Sequence, residues 1–292
     1  MIAVNPSASL RAGLQVRPAL PADHQQIADL TLFESHVHRH LDWRAPLEWL
    51  GYSPYWALEE RGRITAALAC PPDPDSIAWI RLFAFASHLS GPEAWPPLWT
   101  AARNELTERG NATAAAIPVQ RWFDPLLAES GFNLTQHIVM LEWNDQPAKP
   151  VPPSSSVIIR AMRPDDLPRV VDTDAAAFAP LWQNSLNALS KAYSQAIYAS
   201  VAENASGVIG YQLSTGNSIG AHLARLAVRP DAQGRDVGAA LVGDLICQMR
   251  ARGIVRISVN TQADNAVSLA LYHKLGFHRT GEQYPVYTYR VE

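Results

Sequence analysis

Apolar and polar positions change their period partway through residues 223–253 (LARLAVRPDAQGRDVGAALVGDLICQMRARG). Leu223 to Val228 reads as a strand, and a Pro/Asp turn and a glycine-containing loop follow. Val237, Leu241, Leu245 and Met249 then recur every four residues, which predicts a helix with one buried face. A second strand, Val255 to Val259, leads into VNTQADNAVSLALYHKLGF, residues 259 to 277. There Ser268 and Tyr272 share a helical face one turn beyond Asn265, and Gly276 predicts the C-terminal cap.

The same order of elements occurs earlier at offsets of 143 to 145 residues, as between Arg17 and Arg160 or Phe132 and Phe277. VRPALPADHQQIADL matches IRAMRPDDLPRVVDT as a short strand followed by a helix. WALEERGRITAAL matches ASVAENASGVIGY as hairpins turning near Gly62 and Gly207. SIAWIRLFAFA matches SIGAHLARLAV as strands, and ESGF at Phe132 matches KLGF at Phe277. Each copy reads strand, one or two helices, three strands, helix, strand, helix and a final pair of strands.

That order predicts an α/β (α+β) fold of two tandem domains, each a mixed, mostly antiparallel sheet with helices on both faces. The unperiodic NDQPAKPVPPSSS places a linker at 146–156, between domains at 1–145 and 157–292.

Composition narrows the classes. A formal net charge of -3 without long runs of one sign argues against a nucleic-acid partner. No apolar segment approaches the roughly 18 residues that cross a bilayer, and the N-terminus lacks a secretory pattern, so a soluble cytoplasmic protein is expected, without a membrane partner. Cys70 and Cys247 sit in apolar stretches and are both expected to be buried thiols. His36, His38 and His40 alternate; on a helix, His38 would point away from the other two, so no metal site is expected.

The glycine loop carries the chemistry. At a helix N-terminus the first amides lack internal partners and meet the positive end of the dipole, which suits a diphosphate. Gly234 and Gly238 permit close approach, and Arg235 adds charge.

Taken together, a strand, Q-x-x-x-x-G-A opening a helix, another strand, and N-x-x-S-x-x-L-Y-x-K-x-G-F resemble the acetyl-CoA core of the GNAT (GCN5-related N-acetyltransferase) superfamily. The close resemblance covers about residues 219 to 282, and the layout fits back to Val157. It implies a tandem GNAT protein whose C-terminal domain takes acetyl-CoA as cosubstrate and transfers acetyl to a small-molecule or peptide amine by direct attack.

By resemblance, main-chain groups of Leu226, Ala227 and Val228 pair with the pantetheine arm. Gln233, Gly234, Arg235, Asp236, Val237, Gly238 and Ala239 hold the diphosphate. Asn265 and Ser268 contact the cofactor, Asn265 serving equally as a helix N-cap. Tyr272 is the general acid for the departing thiolate, and an amide near Val228 faces the developing oxyanion. His222 and Glu203 are the candidate bases, and Phe178, Trp182 and Asn184 lie toward the acceptor.

Asp236 departs from the family pattern, where Gly is usual. Its carboxylate opposes a diphosphate unless it points to solvent or pairs with Arg235 or Arg229.

The first copy reads as degenerate. ASHLSGPEAWPPLW stands where the loop should be, with Pro92, Pro96 and Pro97 removing donors, while Leu127 and Gln120 replace Tyr272 and Asn265. Eight of the nine tryptophans lie in this half, which indicates aromatic packing or a substrate surface. A non-catalytic CoA-binding sensor or scaffold is the alternative function.

Overall fold

The computed structural model describes residues 13–110, 113–145 and 157–291; the expected linker at 146–156 lies outside them. The chain divides into two compact units, one running to Leu134 and resuming at Tyr287, the other Thr135–Val286.

The first half of the sequence contributes β1 (Leu14–Pro18), α1 (His24–Phe33), β2 (His36–Arg39), β3 (Tyr55–Glu60), β4 (Arg63–Ala69) and β5 (Ile77–Trp79). It continues with β6 (Leu82–Phe85), α2 (Gly91–Arg109), β7 (Thr113–Ala116), α3 (Asp124–Glu129) and β8 (Asn133–Asn144). The second half contributes β9 (Ile158–Ala161), α4 (Leu167–Ala177), α5 (Leu186–Gln195), β10 (Tyr198–Asn204) and β11 (Gly207–Gly216). After these come β12 (Ala221–Val228), α6 (Val237–Ala251), β13 (Arg256–Gln262), α7 (Ala266–Lys274) and β14 (His278–Arg290).

The duplication reaches individual bonds. In the first unit Arg17 donates to Asp23 and, at 2.6 Å, to Glu59; in the second Arg160 donates to Asp166 and, at 2.7 Å, to Glu203. Each Asp also receives a main-chain amide three residues before it. Both helices before the final strands end alike: Gly131 and Gly276 take positive φ, and Phe132 and Phe277 donate to the carbonyls of Leu127 and Tyr272. These are Schellman closures, and they put Leu127 at the place of Tyr272.

Several details differ from expectation. Each half ends in one long strand instead of a pair. β8, from the first half of the sequence, forms the antiparallel neighbour of β13 in the second unit (Val259↔Leu141); the tail of β14 pairs with β7 in the first (Tyr287↔Ala116). An edge left bare would expose main-chain donors and acceptors, and each unit is completed by a strand from the other half of the sequence. Trp143, on β8, accordingly belongs to the second unit's core.

SIAWIRLFAFA, expected as one strand, is two: β5 pairs parallel with β7, and β6 pairs antiparallel with both β4 and β2. The histidines lie on and after a strand, not a helix. His36 stacks on Phe85, buried His38 bonds the carbonyl of Ile80 at 3.0 Å, and His40 stacks on Trp79. Burial holds the His38 pKa down to about 4. Among the described residues no group of three His, Cys, Asp or Glu is placed to hold a metal ion, and no helix is long and apolar enough to cross a membrane.

The tryptophans of the first unit are largely core. Trp95, Trp99, Phe83, Phe123 and Phe132 pack together with ring centroids about 5 to 6 Å apart. Cys70 is buried as expected; Cys247 is exposed, because the outward side of α6 carries it past the buried Leu245, Ile246 and Met249.

Candidate active site

In the second unit β12 runs antiparallel to β11 along its whole length, from Gly216↔Ala221 to Gly210↔Val228. On its other edge it pairs with β13 only at Ala221, His222 and Leu223. Both strands continue beyond that point, so from Ala224 to Val228 this edge of β12 has no strand partner. Arg229 N–H donates to Ile209 on the β11 side; alternation therefore turns the amides of Leu226 and Val228 to the open edge. An extended ligand can add to β12 there as a strand would.

The open edge ends at the loop before α6. Gln233 Nε2 donates to the carbonyl of Val228 at 3.0 Å, tying the loop to the strand. Gly234 (φ 72°) and Asp236 (φ 58°) take left-handed conformations. The first main-chain bond of the helix is Ala240 N–H to Asp236 O. Among the described residues the amides of Gly234 through Ala239 have no acceptor. Six successive free donors at a helix N-terminus form an anion cradle. A Cβ on Gly238 would stand 3.3 Å from Leu271 Cδ2, so glycine lets α6 approach α7 closely.

Asp236 pairs with neither Arg235 nor Arg229. Arg229 is engaged by Asp231, and the Asp236 carboxylate receives Lys274 Nζ at 2.7 Å.

Asn265 caps α7, accepting from Ser268 N–H at 3.0 Å, so its N-cap role is realised. Tyr272 is buried, leans on Phe277 and makes no hydrogen bond through its hydroxyl among the described residues. Burial raises its pKa, so the phenol keeps its proton through the working pH range and remains a donor.

The two candidate bases separate. Glu203 is held by Arg160 in the same arrangement that Glu59 makes with Arg17, a pair repeated in both units. His222 lies where the β12–β13 ladder is about to end. Its Nδ1 stands 2.9 Å from Ser258 Oγ, whose hydroxyl reaches the Ala221 carbonyl at 3.4 Å. With that hydroxyl turned to Ala221, Nδ1–H donates to Ser258 and Nε2 keeps a lone pair. Burial lowers the His222 pKa, so the ring is neutral at pH 7.

Phe178, Trp182 and Asn184 converge on a residue that the pattern of the sequence did not single out. Arg225, on β12, stacks 3.6 Å from the Phe178 ring centroid and donates to the Trp182 carbonyl at 2.5 Å. Its Nε and one terminal nitrogen clasp buried Asp174 at 2.8 and 2.9 Å. Asp174 also accepts from the Asn184 main-chain amide at 2.8 Å and from Tyr211. The visible signal was a lone arginine inside an apolar strand one residue before Leu226; such a charge needs a buried carboxylate.

In the first unit this cleft is filled. The bulges at Glu59/Ile64 and Glu203/Val208 align the two hairpins, and their registers place Phe83 to Phe85 where Leu226 to Val228 stand in the second. Strand β2 lies against those residues, His36 opposite Phe85 and His38 opposite Phe83. The start of α2 is closed too: the Glu93 carboxylate accepts from Ser90 N–H and Oγ.

The profile of the Acetyltransferase (GNAT) family matches residues 162–277. [Ribosomal protein bS18]-alanine N-acetyltransferase of Salmonella typhimurium is 41% identical over 58 residues, 20% of this chain and 39% of that protein; the Escherichia coli K12 protein of that name is 40% identical over the same length. The match thus spans about two fifths of those relatives. Among solved structures, a GCN5-related N-acetyltransferase from Sphaerobacter thermophilus has a TM-score of 0.64 at 16% identity, covering 97% of this chain and 98% of its own. A tandem GNAT protein from the clavulanic acid biosynthesis pathway has a TM-score of 0.64 at 16% identity, covering 96% and 99%. At such identities the likeness speaks for the fold. Residues 162–277, which hold the splayed β12–β13 pair and the amide cradle, thus match the Acetyltransferase (GNAT) family, and the fold of the chain is similar to that of the tandem GNAT structure.

Proposed function

We propose that the protein is an N-acetyltransferase that moves the acetyl group of acetyl-CoA to an amine, with the second unit as the working one. The observation that carries this reading is the open edge of β12 running straight into six unpaired amides. An extended arm followed by a diphosphate matches that sequence of donors.

Acetyl-CoA supplies an acetyl group activated as a thioester. The remaining steps fall to the chain's own residues. Main-chain amides of Leu226 and Val228 orient the arm, and one of them faces the developing oxyanion. An amine of ordinary basicity arrives protonated at pH 7; His222 Nε2, neutral in its buried site, accepts a proton on the way to the reactive free amine. Tyr272 Oη donates to the departing sulfur. The segment 178–184, pinned by Arg225 and Asp174, forms the acceptor side with Phe178, Trp182 and Asn184.

The sensor reading drew on the degenerate first half and on the charge of Asp236. Pairing with Lys274 offsets that charge and weakens the second of these grounds. The relatives act, by their names, on an alanine of ribosomal protein bS18; alanine has no side-chain amine, so a peptide beginning with alanine heads the panel of acceptors. Thiol release from acetyl-CoA is measured with that peptide, polyamines, amino sugars and lysine peptides. Acetylation of at least one acceptor, confirmed by mass spectrometry, is expected; tight binding without transfer to any of them would favour the sensor.

A further inference from the structure

Asp236 occupies the N-cap of α6 in a left-handed conformation. An aspartate there ordinarily turns its carboxylate onto the amide two or three residues ahead. That bond would place a negative charge on the donors an incoming anion needs. Asp236 makes no such bond. Its Oδ1 accepts instead from Nζ of Lys274, 2.7 Å away, at the end of α7.

Stability does not account for the pair. Both side chains are half exposed, at 52% for Lys274 and 56% for Asp236, and ion pairs so open to water add little to folding. What remains is charge. A carboxylate at the mouth of an anion cradle repels a diphosphate. One unit charge several ångströms away, partly screened, shifts affinity by roughly a factor of ten.

We infer that Lys274 sets cofactor affinity through Asp236: it draws the carboxylate off the amides of α6 and cancels its charge, so the cradle stays open to a diphosphate. The inference rests on the acetyl-CoA reading given above. Lys274 is a positioning residue in this scheme, since it acts on the cradle by way of Asp236. The same contact ties the helix bearing Tyr272 to the loop that would hold the diphosphate.

The test is a double-mutant cycle read by isothermal titration with acetyl-CoA on the full chain. Lys274→Met is expected to weaken binding roughly tenfold. Asp236→Asn, which tolerates the left-handed conformation, is expected to bind at least as tightly as wild type. Lys274→Met added to Asp236→Asn is expected to weaken binding less than threefold, and melting temperatures of all four proteins should agree within a few degrees. An unchanged affinity in Lys274→Met, or an equal loss with and without the Asp236 carboxylate, would overturn the inference while leaving the acetyl-CoA reading intact. A folded wild type that takes up no acetyl-CoA would overturn both.

Discussion

Arg225 and Asp174 form a two-point ion pair, at 2.8 and 2.9 Å, between the strand of the open edge and helix α4. Asp174 is fully buried and the Arg225 side chain nearly so, at 12% exposure. Removing one member strands the other away from water, which costs about 3–5 kcal/mol. Arg225→Met is therefore expected to lower stability by about 3 kcal/mol, seen as an earlier midpoint in urea unfolding. It should also raise KM for the acceptor more than Kd for acetyl-CoA, because segment 178–184 hangs on this pair while the amide cradle does not.

Tyr272→Phe keeps the packing against Phe277 and removes one hydroxyl. Turnover should fall by about a hundredfold, the lower end for loss of a general acid, with the Kd for acetyl-CoA nearly unchanged. Pre-steady-state thiol release and titration calorimetry measure the two effects. Equal turnover would remove Tyr272 as the acid.

A neutral His222 implies a specific pH dependence. Its pKa is lowered by burial, and a base works above its pKa. The His222 limb in kcat/KM should thus lie on the acid side of pH 6.5, with the rate falling as pH drops. With an acceptor of low basicity, such as an aromatic amine, the limb is not masked by acceptor ionisation. His222→Gln should abolish it and lower the plateau; a variant that keeps the same limb would acquit His222.

Much of this was legible in the sequence because it depends on backbone and spacing. The four-residue recurrence from Val237 to Met249 and the Gly276 cap are local, and each is found where expected. The duplication was legible as pattern, and the twin networks of Arg17 and Arg160 show it in bonds.

What escaped the sequence is non-local. Arg225 and Asp174 are 51 residues apart, and no local period marks their meeting. The strand nature of His36–Arg39 comes from the main chain of β6, not from its own alternation, and it decides the fate of the first unit's cleft. Glu203 lies 43 residues from Arg160, which holds it, and Lys274 lies 38 residues from Asp236. The exchange of β8 and the tail of β14 follows from the need to cover sheet edges, which no motif announces.

The most direct measurement is the stoichiometry of acetyl-CoA uptake by isothermal titration on the full chain. With a cradle in the second unit and β2 filling the cleft of the first, one equivalent should bind, and Gly238→Glu should abolish it by driving a charged side chain between α6 and α7. No uptake by well-folded protein, or uptake untouched by Gly238→Glu, would contradict the account.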